Sequence, residues 1–256
     1  MKVNKLIFVI GVRRSGTNLL RAMLGSHPYL YAHNSDLNEE LDSIGFGDMR
    51  KLKIENITEK LTNYLYKLTS CPEDKTLVIK NHFLLKDAEF IDKALPNSYV
   101  IHILRDPRGA FASRINLKHI GHKEVVHTIP ELVDDYNKIY NDFRKAKDIL
   151  GEKIIRIRYE DLCSNPEGSL RVICNFLEIE YHSDMLDFEN KWNMQFKGGL
   201  NVNKRSNSSF QDASANKLIY TESVDRWKDI LTKEQIEEIE TQITLERLKE
   251  YGYEKY

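Results

Sequence analysis

This 256-residue chain is poor in the residues that mark extreme architectures. Cysteine occurs three times, at Cys71, Cys163 and Cys174. No two of them form a Cys-x-x-Cys pair, and an odd number in a chain of this size does not suit a disulfide framework, so reduced thiols are expected. Proline occurs only six times and glycine twelve, and there is no Pro-rich linker and no internal repeat. Neither sign of charge prevails: 38 Lys and Arg face 39 Asp and Glu, for a net charge of −1. That balance argues against a general nucleic-acid surface and leaves room for a local basic patch. The apolar run near the N-terminus, Leu6 to Val12, is stopped by Arg13-Arg14. It is too short for a signal peptide or a membrane span. A cytoplasmic protein without a membrane span is expected. No heptad seam appears, which leaves the oligomeric state open.

What is present is the balance of a globular protein: 41% hydrophobic and 30% charged residues. Leu6–Ile10 is a continuous apolar run, as in a parallel strand covered on both faces. Gly11–Gly16 reads as a turn. Leu19, Leu20, Met23 and Leu24 then share a helical face. Asn56–Leu68 reads as a helix with an Asn56–Glu59 capping box. Leu77–Ile79, Tyr99–Leu104 and Lys153–Tyr159 are strand candidates. Pro130–Leu150, Pro166–Leu177 and Thr232–Lys249 are expected helices, the last capped by Thr232 with Gln235. Strands alternating with helices predict one α/β domain over residues 1–256, an open parallel sheet flanked by helices. Such sheets bind ligands at the carboxyl ends of their strands. Residues 197–217 are rich in Asn, Ser and Gly and read as a mobile loop.

The segment Gly11-Val-Arg-Arg-Ser-Gly-Thr-Asn18 lies between the first strand and the first helix. Backbone N–H groups and the helix dipole favour an anion there. Residues 1–30 carry five Lys or Arg and no Asp or Glu. The glycine spacing is like that of a nucleoside-triphosphate loop, but the rest departs from it. Gly16 is followed by Thr17 and Asn18, where that motif has Lys and then Ser or Thr. The cation comes earlier, from Arg13 or Arg14. This chemistry suits a sulfate–phosphate anhydride held by arginine and backbone without a metal.

Arg14-Ser15-Gly16-Thr17 resembles the 5′-phosphosulfate loop of sulfotransferases that use 3′-phosphoadenosine 5′-phosphosulfate (PAPS). The longer run from Arg14 to His27-Pro28 is similar to the tyrosylprotein and bacterial branches. Tyr99-Val-Ile-His-Ile-Leu-Arg-Asp-Pro-Arg-Gly-Ala-Phe-Ala-Ser113 resembles the family's 3′-phosphate motif, an Arg at a strand end and a Ser eight residues on. Arg105 offers a planar fork of donors to a phosphate, and Ser113 a hydroxyl. Arg158-Tyr159-Glu160-Asp161 is similar to the strand end whose tyrosine lies against adenine. Arg226-Trp227-Lys228 is similar to the family's C-terminal Trp-Lys run. The Arg-Lys-Gly element that often precedes that run is absent, and Lys204 and Arg205 are candidates to replace it. The resemblance thus implies a donor site of Arg13, Arg14, Ser15, Gly16, Thr17, Asn18, Arg105, Ser113, Tyr159 and Arg205.

Sulfuryl transfer to a hydroxyl or amine needs charge stabilisation on the leaving phosphate, alignment of the acceptor, and a general base. Lys80-Asn81-His82 resembles the Lys-Thr-His of cytosolic sulfotransferases. On that match His82 is the base, Lys80 steadies the sulfuryl group and Arg14 the 5′-phosphate. The rival base is a carboxylate after the His-Pro turn, with Asp36 nearest the matching position on the acceptor side and Glu39 and Glu40 beside it. His119, His122 and His127 read as an acceptor-side loop rather than a metal set. An ATP-dependent kinase and a non-catalytic nucleotide-binding module are the alternatives. The acceptor, whether small molecule, sugar or peptide, is not legible.

Overall fold

The computed structural model describes residues 5–36, 57–81, 84–119, 128–188 and 221–256. Five parallel strands form one sheet: β1 (Leu6–Ile10), β2 (Leu30–Asp36), β3 (Thr76–Lys80), β4 (Ser98–Leu104) and β5 (Ile154–Arg158). Their order across the sheet is β2-β3-β1-β4-β5. The helices that follow the strands are α1 (Thr17–Gly25), α2 (Ile57–Thr69), α3 (Ala88–Ala94), α4 (Pro107–His119), α5 (Ile129–Leu150), α6 (Tyr159–Ser164) and α7 (Pro166–Leu177). They are followed by α8 (Thr221–Asp225), α9 (Trp227–Ile230), α10 (Lys233–Gln242) and α11 (Leu245–Glu250). The expected open parallel sheet is present.

Strand alternation divides the core. In β1, Leu6, Phe8 and Ile10 pack with Leu61 and Leu65 of α2, Ile91 of α3 and Leu150 of α5. Ile7 and Val9 point the other way, onto Leu20 and Met23 of α1 and Leu170 and Ile173 of α7. Every residue of β1 is buried, which is why its sequence is continuously apolar rather than alternating. A third cluster joins α4, α5 and the C-terminal helices through Phe111, Leu132, Tyr136, Trp227 and Ile239.

Helix boundaries follow their caps. Thr128 and Glu131 cap α5 reciprocally, and Pro130 sits in its first turn. Thr232 and Gln235 cap α10 as expected. The helix expected over Thr232–Lys249 is instead two helices. Thr244 sits at φ 61°, breaks the run, and its side chain accepts the Arg247 N–H to start α11. The strand expected over Lys153–Tyr159 ends at Arg158, and Tyr159 opens α6. β2 carried no strand signal because its second half is polar. It is an edge strand, held by pairing Leu30, Tyr31 and Ala32 with Thr76, Leu77 and Val78 of β3. Asn56 and the stretch 197–217 lie outside the described residues.

The chain leaves β1 toward β2 on one side and leaves β4 toward β5 on the other. The carboxyl ends of β1 and β4 therefore flank a crevice at the topological switch point, where open sheets bind ligands. The two arginine-bearing loops end there.

After α1 the His-Pro turn is locked by His27, which is 1% exposed. The Tyr29 N–H donates to its Nδ1 at 3.2 Å. Nε2 therefore carries the ring proton and donates to the Glu180 carbonyl at 2.8 Å. Burial lowers its pKa from 6.5. The unfolded chain thus takes up this proton at higher pH than the native one, so stability is lost as pH falls below about 6.5. His27→Gln should flatten that slope, read as the difference in urea midpoint between pH 7.5 and 5.5. An unchanged slope would remove His27 as its source.

Candidate functional site

The site is built on two strand ends. Gly16 is the N-cap of α1, at φ 94°, with no side-chain cap and no acidic residue in the first turn. A Cβ at Gly16 would lie 2.3 Å from Cδ2 of Tyr159. Only glycine permits both the backbone angle and the approach of that ring. A Cβ at Gly11 would lie 2.5 Å from Ser15 Oγ and 2.6 Å from the Ile103 carbonyl. Arg14 has φ 76°, a left-handed conformation that costs a residue with a Cβ energy and clusters at functional sites.

Within the loop, Ser15 donates its N–H (3.0 Å) and its hydroxyl (2.5 Å) to the Val12 carbonyl. Ser15 is thus turned inward and holds the turn. Thr17 is buried, while Arg13 is exposed. Asn18 faces β3, and its Oδ1 accepts from Lys80 Nζ at 2.8 Å. Lys80, at the carboxyl end of β3, is 6% exposed. The register places Asp36 of β2 opposite Lys80.

The second strand end meets the first through arginine. Arg14 Nε donates to Ser113 Oγ at 3.1 Å. Arg105 Nη1 donates to the Arg14 carbonyl at 2.9 Å, and Nη2 to the Ser223 carbonyl of α8 at 2.9 Å. The Arg105 guanidinium lies 4.2 Å from the centre of the Tyr159 ring. The Tyr159 hydroxyl and Ser223 Oγ are 2.6 Å apart. Burial pushes the Tyr159 pKa up, so the ring stays neutral. Arg14 is pulled down to about 10, first by burial, then by Arg105, with Arg114 and Arg226 adding to the effect. Four guanidinium groups thus share one field. The carboxylate pairing found among these four is Arg114 with Asp135.

Arg108, one turn from Arg105, has the opposite surroundings. It makes hydrogen bonds of 2.6–3.2 Å to Asp106 and of 2.7 Å to Glu240, and it stacks on Trp227 at 4.2 Å. Trp227 of the C-terminal Trp-Lys run is therefore a platform for Arg108. Glu160 joins the two loops: Oε1 accepts the Asp106 N–H at 2.9 Å and Oε2 the Tyr253 hydroxyl at 2.8 Å. The loop after β4 is fixed, and only Arg108 of its two arginines is neutralised.

Of the residues expected from sequence, Arg14, Gly16, Arg105, Ser113 and Tyr159 come together, and Asn18 and Lys80 join one another beside them. His82, Glu39, Glu40, Lys204, Arg205, His122 and His127 lie outside the described residues, and His119 ends α4. Among the described residues no group of His, Cys, Asp or Glu could hold a metal ion. Sequence reasoning missed Ser223, Arg226 and Arg114. Ser223 carries no signal in sequence. Arg226 was visible only as the neighbour of Trp227, and Arg114 only as the neighbour of Ser113.

The chain matches the profile of the Sulfotransferase family over residues 7–183. It is 25% identical over 252 residues to protein-tyrosine sulfotransferase 1 of Danio rerio, covering 87% of this chain and 65% of that one. It is 27% identical over 127 residues to the omega-hydroxy-beta-dihydromenaquinone-9 sulfotransferase Stf3 of Mycobacterium bovis, covering 45% of this chain and 30% of that one. The chain spans less than two thirds of the length of these curated relatives. In fold it is similar to the sulfotransferase domain from the curacin biosynthetic pathway (TM-score 0.61, 21% identity, 98% of each chain). It is also similar in fold to mouse sulfotransferase SULT7A1 complexed with PAP (TM-score 0.54, 15% identity, 97% of this chain and 86% of that one).

The contact of Gly16 with Tyr159 makes a sharp test. Gly16→Ala should destabilise the fold by roughly 1–3 kcal/mol, from positive φ and steric overlap together. Gly151 also has positive φ, but nothing lies within 4 Å of a Cβ there. Gly151→Ala should therefore cost clearly less in urea unfolding. Equal losses would mean that Tyr159 does not press on the loop.

Proposed function

The chain belongs to the sulfotransferase family, and from that premise we propose that it transfers the sulfuryl group of PAPS to a hydroxyl or amine of a small-molecule, sugar or peptide acceptor. The observation that carries the reading is the meeting of Arg14, Ser113 and Arg105 at the β1–β4 crevice, from segments about ninety residues apart. The residues fit such a nucleotide. Arg14 and Arg105, which no carboxylate among the described residues pairs with, favour a polyanion. The two terminal nitrogens of Arg105 donate to backbone carbonyls, which hold them without cancelling their charge.

PAPS supplies an activated sulfuryl group whose departure leaves negative charge on the 5′-phosphate. Arg14 and the uncapped N-terminus of α1 face that charge with preorganised dipoles and cation. Lys80, held by Asn18, sits at the next strand end and orients the sulfuryl end of the site. Arg105 and Ser113 hold the 3′-phosphate, with Arg226 adding charge, and Arg205 is the sequence candidate for the missing Arg-Lys-Gly element. Tyr159 offers a neutral aromatic wall. The proton of the acceptor goes to His82, which follows Lys80 closely in sequence. Asp36 is the rival base, since the register sets it beside Lys80. Three buried free thiols support a reducing, cytoplasmic setting, and no helix among the described residues is long and apolar enough to cross a membrane. Residues 1–256 are read as one catalytic domain.

The donor is tested by thermal shift with 3′,5′-adenosine bisphosphate, AMP and Mg-ATP. At about 100 times its Kd the bisphosphate should add ~2.7 kcal/mol, or about 5–10 °C. Arg14→Gln or Arg105→Gln should weaken it by roughly ten- to a hundredfold, the worth of a hydrogen bond to a charged group. Stabilisation by Mg-ATP alone would favour a kinase.

The base is tested by acceptor turnover with the nucleotide shift retained. His82→Ala should lower kcat by about 10²–10⁴, and Asp36→Asn should lower it far less. The reverse order would make Asp36 the base.

A further inference from the structure

Arg114 belongs to neither phosphate motif. It follows Ser113 on α4, and its side chain is 1% exposed. Nη2 donates to Asp135 Oδ2 at 3.0 Å. Nε and Nη1 are buried without a hydrogen-bond partner among the described residues. Asp135 is 44% exposed, so water screens it and it offsets only part of the buried charge.

The surroundings of Arg114 are those of the site. It is a like-charge neighbour of Arg14 and helps to lower its pKa. It also faces Tyr136, where its charge opposes the burial that raises the phenol pKa, and the Tyr136 hydroxyl donates to the Arg105 carbonyl at 2.9 Å. A buried guanidinium with two orphaned donors beside other guanidiniums is unfavourable in the free protein. An anion arriving in the shared field offsets the electrostatic part of that cost. A more highly charged anion removes more of it, because the Coulomb term scales with its charge.

Arg114 lies on the helix that carries Ser113, the side of the pocket read as holding the ribose phosphate. We propose that Arg114 is a specificity-determining residue of the donor pocket, whose charge selects a nucleotide with a 3′-phosphate over one with a 5′-phosphate alone. This rests on the reading of the pocket as a bisphosphonucleotide site. Arg114 acts on the ligand through charge, and Asp135 keeps it in place.

The test compares calorimetric affinities for 3′,5′-adenosine bisphosphate and AMP in the wild type, Arg114→Gln and Arg114→Lys, at low and high salt. Arg114→Gln should lose about tenfold toward the bisphosphate, equivalent to ~1.4 kcal/mol. It should lose much less toward AMP, and the difference should shrink at high salt. Arg114→Lys keeps the charge and should recover most of the loss. Without ligand, Arg114→Gln should melt at the same temperature or higher, because a like-charge contact has been removed. A purely structural arginine gives the opposite pattern: a lower melting temperature and equal losses for both nucleotides. That result, or an unchanged affinity ratio in Arg114→Gln, would overturn the assignment of Arg114 alone. A wild type that does not prefer the bisphosphate to AMP would overturn the pocket reading and this inference with it.

Discussion

The site depends on the guanidinium charge of Arg14 and Arg105, which no carboxylate among the described residues pairs with. Arg105 donates to two carbonyls, from Arg14 and Ser223, and Arg14 donates to the Ser113 hydroxyl. Neutral acceptors hold the geometry of these side chains and leave their charge in the field. Carboxylates in the same positions would hold them as well and would cancel the attraction for an anion. The contrast with Arg108 shows that the fold makes this distinction residue by residue. That arginine, one turn away, has Asp106 and Glu240 against it and Trp227 beneath it.

The rest of the structure supports that arrangement. The all-parallel sheet brings the loops after β1 and β4 to one edge, and the order of the strands opens a crevice between them. Glu160 ties the loop after β4 to the start of α6, and this holds Arg105 against Tyr159. Tyr159 closes on Gly16, and α8 closes on Tyr159 and Arg105 through Ser223. The loop of Arg14 pays for its shape with a left-handed backbone at a non-glycine residue. Ser15 keeps it there through the Val12 carbonyl, in space that Gly11 leaves open by having no Cβ. Lys80 and Asn18 carry the same frame across to β3.

Much of this was legible before any coordinate. The continuous apolar run of Leu6–Ile10, the glycines at 11 and 16, and the Arg105–Ser113 spacing located both strand ends and both anion loops. Capping pairs located the start of α10 at Thr232. Short or polar elements were not legible. β2 ends in His33-Asn34-Ser35-Asp36, and its strand conformation is enforced by pairing with β3 rather than by its own pattern. The break at Thr244 was hidden because residues on either side keep a helical apolar period, while the backbone angle at one residue ends the helix.

The sequence by itself determined the fold class, the family resemblance and the two arginine loops. Those depend on local order: apolar period, glycine placement, and a cation at a fixed distance from a helix start. Only the tertiary structure decided which arginines keep their charge available. Arg105, Arg108, Arg114 and Arg226 are the same residue type in sequence. Their difference lies in partners far along the chain, with Glu240 lying 132 residues beyond Arg108 and Ser223 lying 118 beyond Arg105. Electrostatic character depends on distance in space and on burial, and neither is a local property of the chain.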